Sequence, residues 1–192
     1  MANVRLDGMR VAILLGDNFE QVEMTEPRKA LDAAGAHTTL ISPVQGHIQG
    51  VAHDRDLQDP FPVELPLEQA NPDDFDALLL PGGALNADSM RILPNVQKFV
   101  RNVERAGKPM AVICHAPWLL VSAGLVKRRT LTSYPTLQDD IRNAGGTWLD
   151  SEVVRDGNLV TSRQPSDIPA FNSELLALFA AYRERALRPH AA

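Results

Sequence analysis

Short apolar runs alternate with amphipathic stretches along the chain, and that alternation sets the expected elements. Met9 to Leu15 is a continuous apolar run with β-branched residues, the pattern of a central strand in a parallel sheet. Gly16-Asp17-Asn18-Phe19-Glu20 follows as a loop at its C-terminal end. A helix is expected to start near Thr25 and Pro27 and to stop before Gly35, and Thr38 to Ser42 reads as a second strand. This predicts a β–loop–α–β crossover. From Gln45 to Leu67 the pattern breaks at Gly46, Gly50, Pro60, Pro62 and Pro66, and a small hairpin with arms Ile48 to Val51 and Phe61 to Leu65 is expected. Asn71-Pro72-Asp73-Asp74 starts a helical turn, and Asp76 to Leu80 is an apolar strand ended by Pro81-Gly82-Gly83. Val96, Phe99, Val100 and Val103 fall at i, i+3, i+4 and i+7 and predict a helix over Asn95 to Ala106. Met110 to Ile113 is a further buried strand. Beyond it, the pattern predicts a short strand at Leu131 to Tyr134 and a helix at Pro135 to Asn143. Val153–Val154 and Leu159 to Thr161 flank the turn signal Asp156-Gly157-Asn158, and a last helix runs from Pro169 to Arg185 with a frayed tail beyond Leu187.

Strands that alternate with helices in this way give an α/β sandwich with a mostly parallel sheet. The chain has 192 residues, enough for one domain, with a core from about residue 9 to 186 between short tails. A net charge of −5 argues against a nucleic-acid surface, and no apolar run approaches the roughly 20 residues that span a bilayer. The opening MANVRLDGM lacks a basic-then-apolar signal region, so the expected location is the cytoplasm. One cysteine excludes an intrachain disulfide and a cysteine-cluster metal site, and the histidines show no metal-ligand spacing. No cofactor is expected, because Pro81-Gly82-Gly83 lacks the spacings of phosphate and dinucleotide loops.

The candidate chemistry lies at strand ends, where open α/β sheets bind their ligands. Cys114, the only cysteine, ends the Met110 strand just before helix-compatible residues. A thiol at such an elbow is exposed to peptide N–H groups and a helix dipole, which favour the thiolate, although a lone cysteine there is also an ordinary small hydrophobe. His115 can supply a base. Glu20, after the first strand, can hold a proton and donate to the Cys114 sulfur, or it is a solvated loop carboxylate. Gly82 and Gly83 offer main-chain N–H groups suited to an oxyanion, or form an ordinary turn. Asp88 is a candidate to orient His115, within the chain or from a neighbouring subunit, or else it caps the helix following Ala87.

Five segments together resemble the ThiJ/PfpI family, in its PfpI-type intracellular peptidase and general stress protein branch. They are Phe19-Glu20-Gln21-Val22-Glu23, Phe75 to Gly83, Ile113-Cys114-His115-Ala116-Pro117, Thr132-Ser133-Tyr134-Pro135, and Ser162 to Asp167. The resemblance implies a flavodoxin-like three-layer fold with Cys114 at the elbow, His115 beside it and Glu20 bonded to the sulfur. It also places Tyr134 near the site and implies homo-oligomers, dimers that assemble into hexamers. The implied function is a stress-related cysteine-dependent hydrolase or deglycase acting on carbonyl adducts, glycated substrates or peptides. The alternative is a redox-sensing stress protein whose cysteine oxidises to sulfinate with little turnover.

Overall fold

The computed structural model describes residues 4–187; the tail expected to fray beyond Leu187, with His190, lies outside the described residues. Strand β1 (Arg10–Leu14) leads through the two-residue β2 (Phe19–Glu20) into α1 (Gln21–Ala33) and β3 (His37–Ser42). A hairpin of β4 (His47–Ala52) and β5 (Asp56–Pro62) follows, and β6 (Leu65–Pro66) rejoins the main sheet. Then come β7 (Ala77–Leu80), α2 (Ala84–Arg91), α3 (Pro94–Arg105), β8 (Met110–Ile113) and α4 (Pro117–Ser122). Next are β9 (Thr130–Leu131), α5 (Gln138–Asn143), β10 (Thr147–Trp148), β11 (Val153–Asp156), β12 (Leu159–Ser162) and α6 (Ile168–Leu187).

The main sheet runs β11-β12-β8-β7-β1-β3-β6, parallel throughout except for the β11–β12 hairpin. Its five principal parallel strands have the flavodoxin-like order 2-1-3-4-5, counted along the chain. Alternation along β1 divides the core into two layers. Val11 and Ile13 pack with Met24 and Leu31 of α1 and with Phe171, Leu175 and Phe179 of α6. Ala12 and Leu14 face the opposite side, with Val96, Phe99 and Val100 of α3 and Leu119 and Leu120 of α4. Among the described residues, no helix is long and apolar enough to cross a membrane.

Four local expectations are corrected. Helix α1 starts at Gln21, ahead of Thr25, and keeps Pro27 in its interior. Proline there removes one ladder bond, to the Glu23 carbonyl, and burial of Met24, Pro27 and Leu31 along one stripe offsets the loss. The hairpin's second arm is Asp56–Pro62 rather than Phe61 to Leu65, because Pro60 and Pro62 are tolerated on an edge strand. The strand expected through Tyr134 stops at Leu131, and the Tyr134 N–H instead donates to the Cys114 carbonyl at 2.8 Å. The helix expected to follow Ala87, with Asp88 as its cap, is α2 and starts at Ala84.

Gly83 enters α2 with φ +92, and a Cβ there would stand 2.7 Å from both the Asn18 carbonyl oxygen and the Glu20 nitrogen. Gly46 shares a positive φ of +81 but has nothing within 4 Å of such a Cβ. Gly46→Ala should therefore cost only the left-handed strain, about 1–2 kcal/mol. Gly83→Ala should cost more, because two backbone segments must also move apart. Chemical denaturation of both variants checks this, and equal losses would contradict it.

Candidate active site

The site is built where β1, β7, β8 and β12 end together. At the end of β8 the chain turns sharply, and Cys114 takes φ +62. Its N–H donates to the Ser162 carbonyl at the end of β12, at 3.0 Å, and its carbonyl accepts from Tyr134. Both main-chain groups are thus held by neighbouring segments, which keep a non-glycine residue in a conformation that costs about 1–3 kcal/mol. On the β7 side, Asn86 braces the loops: its amide donates to the Gly82 carbonyl at 2.9 Å, and its side-chain oxygen accepts from the Gly16 N–H at 2.7 Å.

The acid at the sulfur is Glu23, in the first turn of α1, and not Glu20. The Glu23 side chain is fully buried, and its Oε2 accepts from the Gly82 N–H at 2.9 Å. Its other oxygen, Oε1, has no geometric hydrogen-bond partner among the described residues, and the carboxyl lies against the Cys114 thiol. Burial above all pushes its pKa up to about 8; the thiol and the Gly82 N–H pull the other way. The carboxyl therefore holds its proton at neutral pH. Burial, and then the proximity of Glu23, also push the Cys114 thiol well above its ordinary range, while the Gly83 N–H opposes this. With Glu23 protonated its charge is gone, and the Glu23 hydroxyl and Gly83 N–H become two donors facing a thiolate.

His115 is buried beside them, with Nδ1 3.1 Å from Sγ. Its ring stacks on Tyr134 with centroids 4.5 Å apart. Burial lowers its pKa and Asp54 raises it in part, so the imidazole is neutral at pH 7.

Glu20 faces the same cavity but bonds elsewhere. Its two oxygens accept from the main-chain N–H groups of His53 and Asp54, at 3.1 and 3.2 Å. These residues form the β4–β5 turn, both with positive φ, so Glu20 closes a turn that leaves two amides pointing inward. The turn carries Asp54 to the start of α2, where its Oδ1 accepts from the Ala84 N–H at 2.6 Å. Asp88 is exposed in the middle of α2, with no hydrogen bond or ion pair to His115 among the described residues, so it does not cap that helix. The Gly82 N–H, expected to face an oxyanion, is taken by Glu23; Gly83 keeps its place beside the sulfur.

A cavity of about 390 Å³ opens over these groups, lined by Glu20, Glu23, Asp54, Cys114, Tyr134 and Gln164, together with His53, Pro165 and Ser166. Sequence reasoning missed Glu23, Asp54 and His53. A signal for Glu23 did exist: it sits on the stripe Glu23, Met24, Pro27, Leu31, where a glutamate is out of place among apolar residues.

The DJ-1/PfpI family model matches residues 9–178. The chain belongs to the DJ-1/PfpI family. It is 42% identical over 170 residues to a deglycase of Pyrococcus abyssi, covering 88% of this chain and 99% of that one. It is 39% identical over 176 residues to general stress protein 18 of Bacillus subtilis, covering 89% and 98%. Among solved structures it resembles DJ-1beta of Drosophila melanogaster, with a TM-score of 0.80, 26% identity, and 95% and 100% of the two chains covered.

The proton on Glu23 makes the stability of this DJ-1/PfpI member depend on pH. The folded carboxyl has a raised pKa, so between the unfolded value near 4.5 and about 8 the unfolded state has lost a proton that the folded state keeps. Stability contributed by this group is therefore fully present below the window and falls as pH rises through it. Glu23→Gln keeps an acceptor for Gly82 and removes the titration. The wild-type stability relative to Glu23→Gln should fall by a few kcal/mol, on the order set by linkage, from pH 4.5 to 8. Denaturation curves across that range check it, and a constant difference would contradict it.

Proposed function

We propose that this protein is a cysteine-dependent deglycase that acts on the adducts of 1,2-dicarbonyls such as methylglyoxal with amines and thiols. The observation that carries the reading is the placement of Cys114 between the buried Glu23 carboxyl and the His115 imidazole, in the wall of a cavity of about 390 Å³. Relatives that bear the names deglycase and general stress protein support it.

In such an adduct the former aldehyde carbon carries a hydroxyl and the carrier's nitrogen or sulfur. The carrier leaves with a proton and the aldehyde returns. The Cys114 thiolate adds to it, forming a C–S bond, and the oxyanion lies by the Gly83 N–H before it is protonated. His115 then takes the proton from the sulfur-bearing carbon and returns it to the neighbouring carbon. The first carbon is oxidised as the second is reduced, so no outside oxidant is needed. Water hydrolyses the resulting thioester to lactate and the free thiol. The sum is adduct plus water giving free carrier plus lactate. Cleavage of peptides would use the same nucleophile on an acyl carbon, with His115 protonating the leaving amine.

A second reading rests on the Glu23 Oε1 atom, which has no hydrogen-bond partner among the described residues. A carboxylic O–H there also suits a sulfinate oxygen, so oxidation of Cys114 by peroxide is the redox-sensing alternative. The exposure of Asp88 together with Leu85 and Ile92 on and beside α2 supports assembly of like subunits through that helix.

Lactate release from methylglyoxal adducts tests the main reading. Cys114→Ser should lower kcat/KM about a thousandfold or more, and Glu23→Gln should lower kcat about ten- to hundredfold. Equal rates for wild type and Cys114→Ser would overturn it. Intact mass after mild peroxide decides the alternative: a Cys114 that stays reduced while adducts turn over excludes the sensor.

A further inference from the structure

The cavity over Cys114 is lined by acidic groups, and the main-chain N–H groups on either side of Gly83 are already taken. Its lining includes Glu20, Glu23 and Asp54 and contains neither lysine nor arginine. Glu20 and Asp54 are both held as hydrogen-bond acceptors, Glu20 by the two turn amides and Asp54 by the Ala84 N–H. Two cations adjoin the lining along the chain: Arg55, next to Asp54, is exposed and has no side-chain hydrogen bond or ion pair among the described residues, and Arg163 lies next to Gln164. The second is matched. It donates to both oxygens of Asp167, at 2.8 and 3.1 Å, and to Asp150 at 2.6 Å, so its charge is more than matched.

The start of an α-helix ordinarily offers free N–H groups to a phosphate or carboxylate. Here α2 begins inside the site, but the Gly82 N–H donates to Glu23 and the Ala84 N–H to Asp54. An incoming anion would have to displace two protein carboxyl groups. A second polar group points to a ligand: Glu23 Oε1, buried in the lining of the cavity, has no hydrogen-bond partner among the described residues.

We propose that this pocket selects its substrates by the charge of the carrier, favouring adducts whose carrier bears a cationic group apart from the reacting nitrogen or sulfur over adducts whose carrier bears a carboxylate or phosphate. The inference rests on the reading of this cavity as the substrate site. A reactive carbon above Cys114 leaves the carrier projecting toward the mouth, where Glu20 and Asp54 sit. A cleft lined by one sign of charge raises the local concentration of the opposite ion by about tenfold or more at low salt.

The test needs no turnover. Cys114 in the intact protein is reacted with 2-aminoethyl and 2-sulfonatoethyl methanethiosulfonate, and the ratio of rates is divided by that of a free cysteine peptide. The expected ratio is about tenfold in favour of the cationic reagent at low salt, falling toward one near 1 M salt. Asp54→Asn should cut it at least threefold; the salt series on wild type gives the answer even if that variant folds poorly. A low-salt ratio of one, or one favouring the sulfonate, overturns the proposal. Hemithioacetals of methylglyoxal with cysteamine and with 3-mercaptopropionate then compare carriers of opposite charge on the same chemistry. Equal kcat/KM for the two overturns charge selection and leaves the deglycase reading standing. No turnover of either, with the reagent ratio intact, overturns the deglycase reading and leaves charge selection standing.

Discussion

The contact on which the site depends is the close approach of Glu23, Gly82 and Cys114. A Cβ on Gly82 would stand 2.5 Å from Glu23 Oε2, 2.6 Å from the Cys114 Cβ and 2.9 Å from the Ile113 carbonyl oxygen. Only glycine fits, and its N–H meets the carboxyl that touches the thiol. That contact needs the first turn of α1 and the ends of β7 and β8 to converge. The order β8-β7-β1 puts these strands side by side, and α1 follows directly on the loop after β1. Two like charges could not share so dry a place, because a buried charge without a partner is costly. The fold therefore keeps at least one proton on the pair of carboxyl and thiol.

Around this centre, polar groups fix the loops that the strands cannot. Asn86 ties the ends of β1 and β7 together, and the main-chain bonds of Cys114 hold its left-handed elbow against β12 and the loop before Tyr134. The β4–β5 hairpin is attached by two further anchors. Gln21 exchanges bonds with Asp59, and Glu20 holds the turn at His53 and Asp54. The Gln21–Asp59 bonds are exposed, while those of Asn86 are buried and those of Glu20 half-buried, and together they are mutually consistent, the condition under which a strained elbow persists.

The sheet was legible in the sequence because its strands are short, apolar and closed by glycine or a polar turn, and the helix at Val96 to Val103 because its stripe is regular. The elbow pair Cys114–His115 was legible for the same reason: it stands at a change of period. The partners were harder. Starting α1 at Thr25, on the strength of Pro27, left Glu23 in a loop and made Glu20 look like the acid. A proline inside a helix hid a buried residue one turn before it. Asp54 gave no local signal, since its role comes from a long-range bond between a hairpin turn and the start of α2, 30 residues away. Helix α2 starts one turn ahead of the Asp88 cap that the sequence suggests, and it has no capping side chain of its own; its first turn is satisfied from that hairpin instead.

The hairpin divides the cavity into a floor and a mouth of different origin. The floor comes from β-sheet ends whose packing admits almost no change. The mouth at Asp54 comes from an excursion between β3 and β6, whose outer strand is exposed along nearly its whole length. Its turn is fastened by carboxylate bonds rather than by packing. Natural variation can therefore rewrite the mouth residue by residue while the reactive floor stays as it is. Relatives could diverge in what they admit while keeping the same nucleophile, and the hairpin turn is where that divergence would be written.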